Sequence, residues 1–215
     1  MTTFSTLQQP AVAAALDRMF AAAEQDAAAE LPASPGTRTA QELADAYAGL
    51  YLPISAEGGG LLYSLVRAAR PETIVEFGTS FGISTLYLAA AVRDNGAGRV
   101  LSTELSAAKV AAARRTFAET GLDDVITVLE GDARESLVPH LDGGVSFVLL
   151  DGWKDLYLPV LHLLEPHLAP GTLVVADDAA MASVRPYLDY VRSPENGYQS
   201  TSYPVEDGME ISCRL

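Results

Sequence analysis

The feature that most constrains this chain is an alternation of type that begins at residue 73 and persists to residue 192. Short β-rich runs, "TIVEF" (73–77), "GRVLSTE" (98–104), "DVITVLEG" (124–131), "VSFVLLD" (145–151) and "GTLVVADD" (171–178), are each followed by a helical pattern. Those helical stretches cover 82–92, 106–120, 132–141, 156–168 and 181–192, with Pro159 in a first turn, where its missing N–H costs little. Strands separated by helices connect through right-handed crossovers, which predicts an α/β, doubly wound parallel sheet. The ending differs. "GYQSTSYP" and "GMEISCRL" are separated only by "VED", too short for a crossover, so this pair must be antiparallel. The expectation is a mostly parallel seven-stranded sheet with an antiparallel C-terminal strand.

Upstream of residue 70 the pattern is helical: about 7–30, 39–50 and 58–69, with "LPASPGT" (31–37) as a breaker. With no internal repeat and no long linker, residues 1–215 read as one domain. Within it, 1–70 supply N-terminal helices that shape a substrate mouth, and 71–215 supply the sheet. A 49% hydrophobic content is enough for a sizeable core.

The net charge of −14 argues against nucleic-acid and anionic-membrane partners, both of which need clustered Lys and Arg. A single cysteine, Cys213, excludes an intramolecular disulfide and fits a reducing compartment; its alternating segment predicts a buried structural thiol. No basic n-region and apolar h-region opens the sequence. Asp17, Arg18, Glu24 and Asp26 interrupt the Ala-rich run, ruling out a membrane span there. A cytoplasmic location is the expectation. A homodimer is compatible with the sequence, but nothing in it specifies one.

Open α/β sheets bind ligands at the carboxyl ends of their strands. The first strand ends in "EFGTSFG", bringing Glu76, Gly78, Gly82 and then Ser84 to a strand–helix turn where backbone can approach a ligand. The G-x-x-x-G spacing is not G-x-G-x-x-G, which speaks against a dinucleotide enzyme. Glu104 ends the second strand, where a carboxylate can accept ribose hydroxyls. Asp132 and Ala133, in "GDA", follow the third; Asp132 suits either a helix cap or an adenine amino group.

Asp151 ends the fourth strand, and Asp177 and Asp178 end the fifth. If these two strand ends are neighbours, the carboxylates repel unless something positive lies among them, and all-oxygen ligands suit Mg²⁺. Helix capping explains the same residues equally well. Trp153 and Lys154 lie just beyond Asp151. His140, His162 and His167 lack metal-ligand spacing on a shared face.

The E-x-G-x-x-x-G turn, the acid closing strand two and the G-D-A after strand three together resemble the class I (Rossmann-like) S-adenosylmethionine-dependent methyltransferases. "LDGWKDLYLP", "ADD" and "DGME" further resemble the catechol O-methyltransferase family, over about Gly59 to Leu215. That resemblance implies S-adenosylmethionine held by Glu76, Gly78, Gly82, Ser84, Glu104, Asp132, Ala133 and Asp151. It implies Mg²⁺ on Asp151 and Asp177, with Asp178 beside them, and a small aromatic hydroxyl substrate against Trp153. Lys154 is then the general base, and Glu210 bonds an acceptor hydroxyl while Met209, Ile211 and Cys213 take the buried face. A cation near Lys154 is expected to lower its pKa. Two departures stand out. Asp178 replaces the family's Asn, an extra charge that would suit Ca²⁺ or Mn²⁺ as well, and Gly152 replaces its usual His. The rival readings are a metal-independent methyltransferase acting on a non-catechol hydroxyl or a carboxylate, and a non-catalytic S-adenosylmethionine-binding module.

Overall fold

In the computed structural model, which describes residues 5–28 and 39–215, the alternation becomes one seven-stranded sheet. Its strands are β1 (Thr73–Phe77), β2 (Arg99–Glu104), β3 (Ile126–Glu130), β4 (Val145–Leu150), β5 (Leu168–Ala176), β6 (Tyr198–Tyr203) and β7 (Met209–Arg214). They lie in the order β3-β2-β1-β4-β5-β7-β6. Strands β1 to β5 pair in parallel, and β7 runs antiparallel between β5 and β6. The reversed C-terminal strand is therefore as the short connection requires.

The helices are α1 (Pro10–Ala23), α2 (Ala40–Ala46), α3 (Ala56–Ala69), α4 (Ile83–Asn95), α5 (Ala107–Thr120), α6 (Ala133–Ser136), α7 (Tyr157–Leu164) and α8 (Arg185–Arg192). Several are shorter than their periodicity suggests. The expected helix over 132–141 is α6 followed by a 3₁₀ turn, Val138–His140, because Pro139 lacks the N–H that would continue it. Helix α7 ends at Leu164, again before a proline in a 3₁₀ turn, and β5 begins three residues earlier than expected, at Leu168. Helix α2 starts with a capping box in which Thr39 accepts the Glu42 N–H. The breaker at 31–37 lies outside the described residues.

The pleat sends alternate residues to opposite faces. Ile74, Leu149 and Val175 pack with α1, α3, α4 and α5; Val75, Val148, Leu150 and Val174 pack with α6, α7 and α8. Helix α4 is buried along its whole run from Ile83 to Val92. Its uniformly apolar or small side chains suit a helix covered on all sides, against the sheet on one side and α1 and α3 on the other. Truncating Leu88, fully buried there, to Ala would cost on the order of 2–5 kcal/mol. Cys213 is half-buried rather than buried. Among the described residues, no helix is long and apolar enough to cross a membrane.

For function, the decisive point is adjacency. Because β4 and β5 are parallel neighbours with Leu150 opposite Ala176, the residues that follow, Asp151 and Asp177, leave the sheet side by side.

Candidate active site

The carboxyl edge opens into a cavity of about 370 Å³, bounded at one end by Glu104 and Asp132 and at the other by Trp153, Lys154 and Asp178. At its floor, Gly78 has a φ of +107°, and a Cβ there would lie 2.5 Å from the Asp151 carbonyl oxygen. Only glycine lets β1 turn so close to β4. Helix α4 begins beyond this turn with no side-chain cap at Gly82, leaving its first N–H groups free, and Ile83 and Ser84 line the cavity. Gly82 itself does not line it; its missing Cβ makes room for the Phe117 ring.

Glu104 accepts the Ser80 N–H at Oε2 and the Ser106 N–H at Oε1, each at 2.8 Å. Asp132 caps α6 through the Arg134 N–H at 2.9 Å, pairs with the Arg134 side chain, and lines the cavity beside Ala133. Glu76 takes a different place from the one its motif implies. It is fully buried under the turn, where Ser84 donates to it at 2.7 Å, Thr85 donates at 2.6 Å, and Ser102 donates as well. Residue 76 shares the α4 face with Ile74, so its carboxylate braces the turn from behind and does not line the cavity. Burial, outweighing the three hydroxyl donors, pushes its pKa up to about 7.

At the other end, carboxylate oxygens of Asp151, Asp177 and Asp178 lie within 4.8 Å of one another. Neither Asp177 nor Asp178 caps a helix. The next helical turn begins at Ala182, with Met181 at its N-cap and no side-chain bond. Asp178 has a φ of +55°, a left-handed conformation that Asp and Asn tolerate far better than most residues. Asp177 is buried and lies behind the cavity wall. Burial and the two neighbouring carboxylates raise its pKa, and burial likewise raises that of Asp151 against the pull of Lys154.

Lys154 Nζ enters this group, 3.2 Å from Asp151 Oδ1 and 2.7 Å from Asp178 Oδ2, and donates to the Tyr157 hydroxyl at 2.9 Å. The Tyr157 hydroxyl in turn donates to the Asp177 carbonyl at 3.3 Å. Burial disfavours the ammonium, but Asp151, Tyr157 and Asp178 outweigh burial and hold its pKa above the ordinary lysine value. The carboxylates facing Lys154 are anions and favour its charged form; the lowered value expected from sequence applies with a cation held among them.

Glu210 does not join them. It lies opposite Ala176 with its side chain toward α8, fully buried, and receives Arg192 at 2.8 and 2.7 Å and Ser202 at 2.7 Å. Both faces of β7 are covered: Met209 is fully buried and Ile211 packs on the same core, as expected, but Glu210 and Ser212 on the other face are fully buried too, and Cys213 is only partly so. The partner that holds Glu210 sits on α8, and nothing in the alternation of β7 announces it.

Sequence reasoning expected residues 1–70 to shape the mouth but did not single out the residues that cover the cavity. Tyr47, Tyr51, Leu52 and Pro53, which follow α2, line it. The Tyr47 ring meets Trp153 edge-on at 5.7 Å, and Tyr51 stacks on Phe81 at 4.2 Å. Asp26 anchors this segment by accepting the Tyr51 and Leu52 N–H groups at 2.7 and 3.0 Å. The Gly152 departure has a steric partner in Phe77, whose ring lies 2.7 Å from where a Cβ on residue 152 would sit.

A parallel sheet with one reversed strand, a glycine turn after β1, an acid closing β2 and a ligand-sized cavity at that edge define a class I methyltransferase fold. Residues 75–179 match the family model described as a methyltransferase domain. The chain is 34% identical to catechol O-methyltransferase B of Danio rerio over 173 residues, covering 74% of this chain and 64% of that protein. It is 31% identical to the catechol O-methyltransferase of Sus scrofa over 141 residues, covering 62% of this chain and 74% of that one. Among solved structures, an O-methyltransferase from Bacillus cereus in complex with SAH superposes with a TM-score of 0.70 at 21% identity, covering 94% and 91% of the two chains. The chain belongs to the class I S-adenosylmethionine-dependent O-methyltransferases and, within them, resembles the catechol O-methyltransferases. It spans somewhat less than two thirds of the Danio rerio protein's length.

Proposed function

We propose that this protein transfers a methyl group from S-adenosylmethionine to a hydroxyl of a small, catechol-like aromatic acceptor, with the help of a divalent cation. One observation carries the reading: Lys154 Nζ lies among Asp151, Asp177 and Asp178 at the wall of a cavity that extends to Glu104. Three carboxylates and one ammonium leave two formal negative charges uncompensated, and an all-oxygen set of that charge suits Mg²⁺, Mn²⁺ or Ca²⁺. The relatives named catechol O-methyltransferase support the acceptor class.

When bound, S-adenosylmethionine would supply the electrophilic methyl group and the cation would supply a Lewis acid that favours the deprotonated acceptor hydroxyl. The chain's own part is binding, orientation and the proton. Gly78, Ser84, Glu104, Asp132 and Ala133 would hold the cofactor along one wall, while Glu76 and Gly82 keep the turn beneath it in shape. Asp151, Asp177 and Asp178 would hold the cation. Trp153, backed by Tyr47, gives a flat acceptor an apolar wall and excludes water. Lys154 Nζ would receive the acceptor's hydroxyl proton, and its readiness to do so depends on how far the charges of Asp151 and Asp178 are neutralised. Residues 1–215 then act as one unit, with residues before 70 contributing the cover.

The test is a methyl-transfer screen against vicinal diphenols after exhaustive chelation, with and without added Mg²⁺. The expected result is turnover restored by the cation. Turnover that survives chelation would replace this reading with the metal-independent one, in which the Lys154 ammonium is itself the cation facing the acceptor.

A further inference from the structure

Lys109 is a buried charge that the proposed reaction does not use. It sits in the first turn of α5, only 6% exposed, and lines the same cavity as Glu104. An ammonium has three N–H donors. Among the described residues Lys109 gives one, to Ser80 Oγ at 3.1 Å, and otherwise lies over the Phe81 ring, 5.5 Å from its centroid. Ser80 Oγ sends its own proton to the Tyr51 carbonyl at 2.7 Å, so it is an acceptor toward Lys109. Among the described residues no carboxylate lies at ion-pair distance; Glu104 and Asp26 favour the charge from farther away, against the burial that lowers its pKa. A buried ammonium with two donors unused is unfavourable unless something else brings acceptors to it.

Glu104 has the complementary surplus. Each of its oxygens accepts one backbone N–H and keeps a lone pair free. An acid that still accepts and an ammonium that still donates therefore share one stretch of wall. A phosphate or free carboxylate would be drawn to Lys109 but repelled by Glu104. A neutral vicinal diol satisfies both, because every hydroxyl donates once and accepts as well.

We infer that Lys109 is a cofactor-binding residue that donates to the oxygen of a ribose hydroxyl while Glu104 accepts from the ribose diol. The inference rests on the S-adenosylmethionine reading of the cavity given above. It also gives the cover a link to the cofactor, since Lys109 reaches the Tyr51 carbonyl through Ser80, and Asp26 holds the Tyr51 N–H.

Calorimetric titration of the full chain with S-adenosylhomocysteine and with its 2′-deoxy and 3′-deoxy analogues tests this. In the wild type, at least one missing hydroxyl should weaken binding markedly. Lys109→Met should weaken S-adenosylhomocysteine by roughly 10- to 100-fold, the range for a hydrogen bond from a charged donor. In that variant the same missing hydroxyl should cost clearly less than in the wild type, because the share contributed by Lys109 is already gone and only a bond to Glu104 can still be lost. Equal analogue penalties in the two proteins, or unchanged affinity in Lys109→Met, would overturn the inference and leave the cofactor reading standing. If Lys109→Met does not fold, Lys109→Gln carries the comparison, and a wild type indifferent to both hydroxyls overturns the inference without any variant. A wild type that does not bind S-adenosylhomocysteine at all would remove the underlying reading, and this inference with it.

Discussion

Lys154 Nζ lies 2.7 Å from Asp178 Oδ2, so the carboxylate that departs from the family's asparagine is the one closest to the proposed base. The same ammonium faces Asp151 at 3.2 Å. Lys154 therefore stays protonated until some of that negative charge is drawn elsewhere, which couples its proton to whatever else the three aspartates hold.

Replacing Lys154 separates catalysis from binding. Lys154→Met should lower turnover about 10²- to 10⁴-fold, the usual contribution of a positioned base. Affinity for S-adenosylhomocysteine should change little. Lys154→Arg should not restore turnover, because a guanidinium does not give up its proton at working pH. Steady-state rates beside calorimetry decide this, and a Met variant keeping more than about a tenth of wild-type turnover would remove Lys154 from the reaction.

Position 178 tests backbone and charge at once. Its φ of +55° suits Asn as well as Asp, so Asp178→Asn should leave stability within about 0.5 kcal/mol. Asp178→Val, β-branched at the same φ, should lose about 1–3 kcal/mol in urea denaturation. Asp178→Asn should also raise the Mg²⁺ concentration needed for half-maximal turnover, since one of the three negative charges is gone. A lower requirement in that variant would show that Asp178 serves to pair Lys154 and not to hold the cation.

Glu76 gives a pH signature. Its carboxyl is raised from 4.5 to about 7, so between those values the folded chain holds a proton that the unfolded chain has released. Its contribution to stability is fully present below pH 4.5 and is lost as pH rises through 7, at up to about 1.4 kcal/mol per pH unit. Glu76→Gln cannot titrate. Subtracting its denaturation midpoints from those of the wild type across pH 4.5–8 should isolate a downward slope, and a flat or rising difference would mean that the Ser84, Thr85 and Ser102 hydroxyls keep the carboxylate charged throughout.

The Arg192–Glu210 pair is asymmetric in exposure: the Arg192 side chain is 43% exposed and that of Glu210 is 1% exposed. Arg192→Ala strands a buried carboxylate with Ser202 as its remaining donor, whereas Glu210→Ala frees a guanidinium that can turn to water. Arg192→Ala should therefore destabilise the chain more, by about 1–3 kcal/mol after allowing for screening of the exposed partner. Glu210→Gln should leave the acceptor KM within about threefold, while a tenfold rise would place Glu210 at the acceptor.

The strand–helix order and the reversed last strand were legible in the linear sequence because they follow from period and connection length, whereas the Asp151–Asp177–Asp178 meeting followed from the family resemblance, which implies that β4 and β5 are neighbours. Three things were not legible. Glu76 braces the turn from behind because its face of β1 meets α4. Glu210 is held by an arginine on α8. The cover made by Tyr47, Tyr51 and Leu52 is fixed through Asp26, a residue from a different helical segment. The sequence by itself determined which residues stand at the carboxyl edge, since that depends on local pattern alone. Only the tertiary structure decided which of them face the cavity and which are spent on one another, because hydrogen bonds between residues distant in the chain form only once the helices have packed onto the sheet.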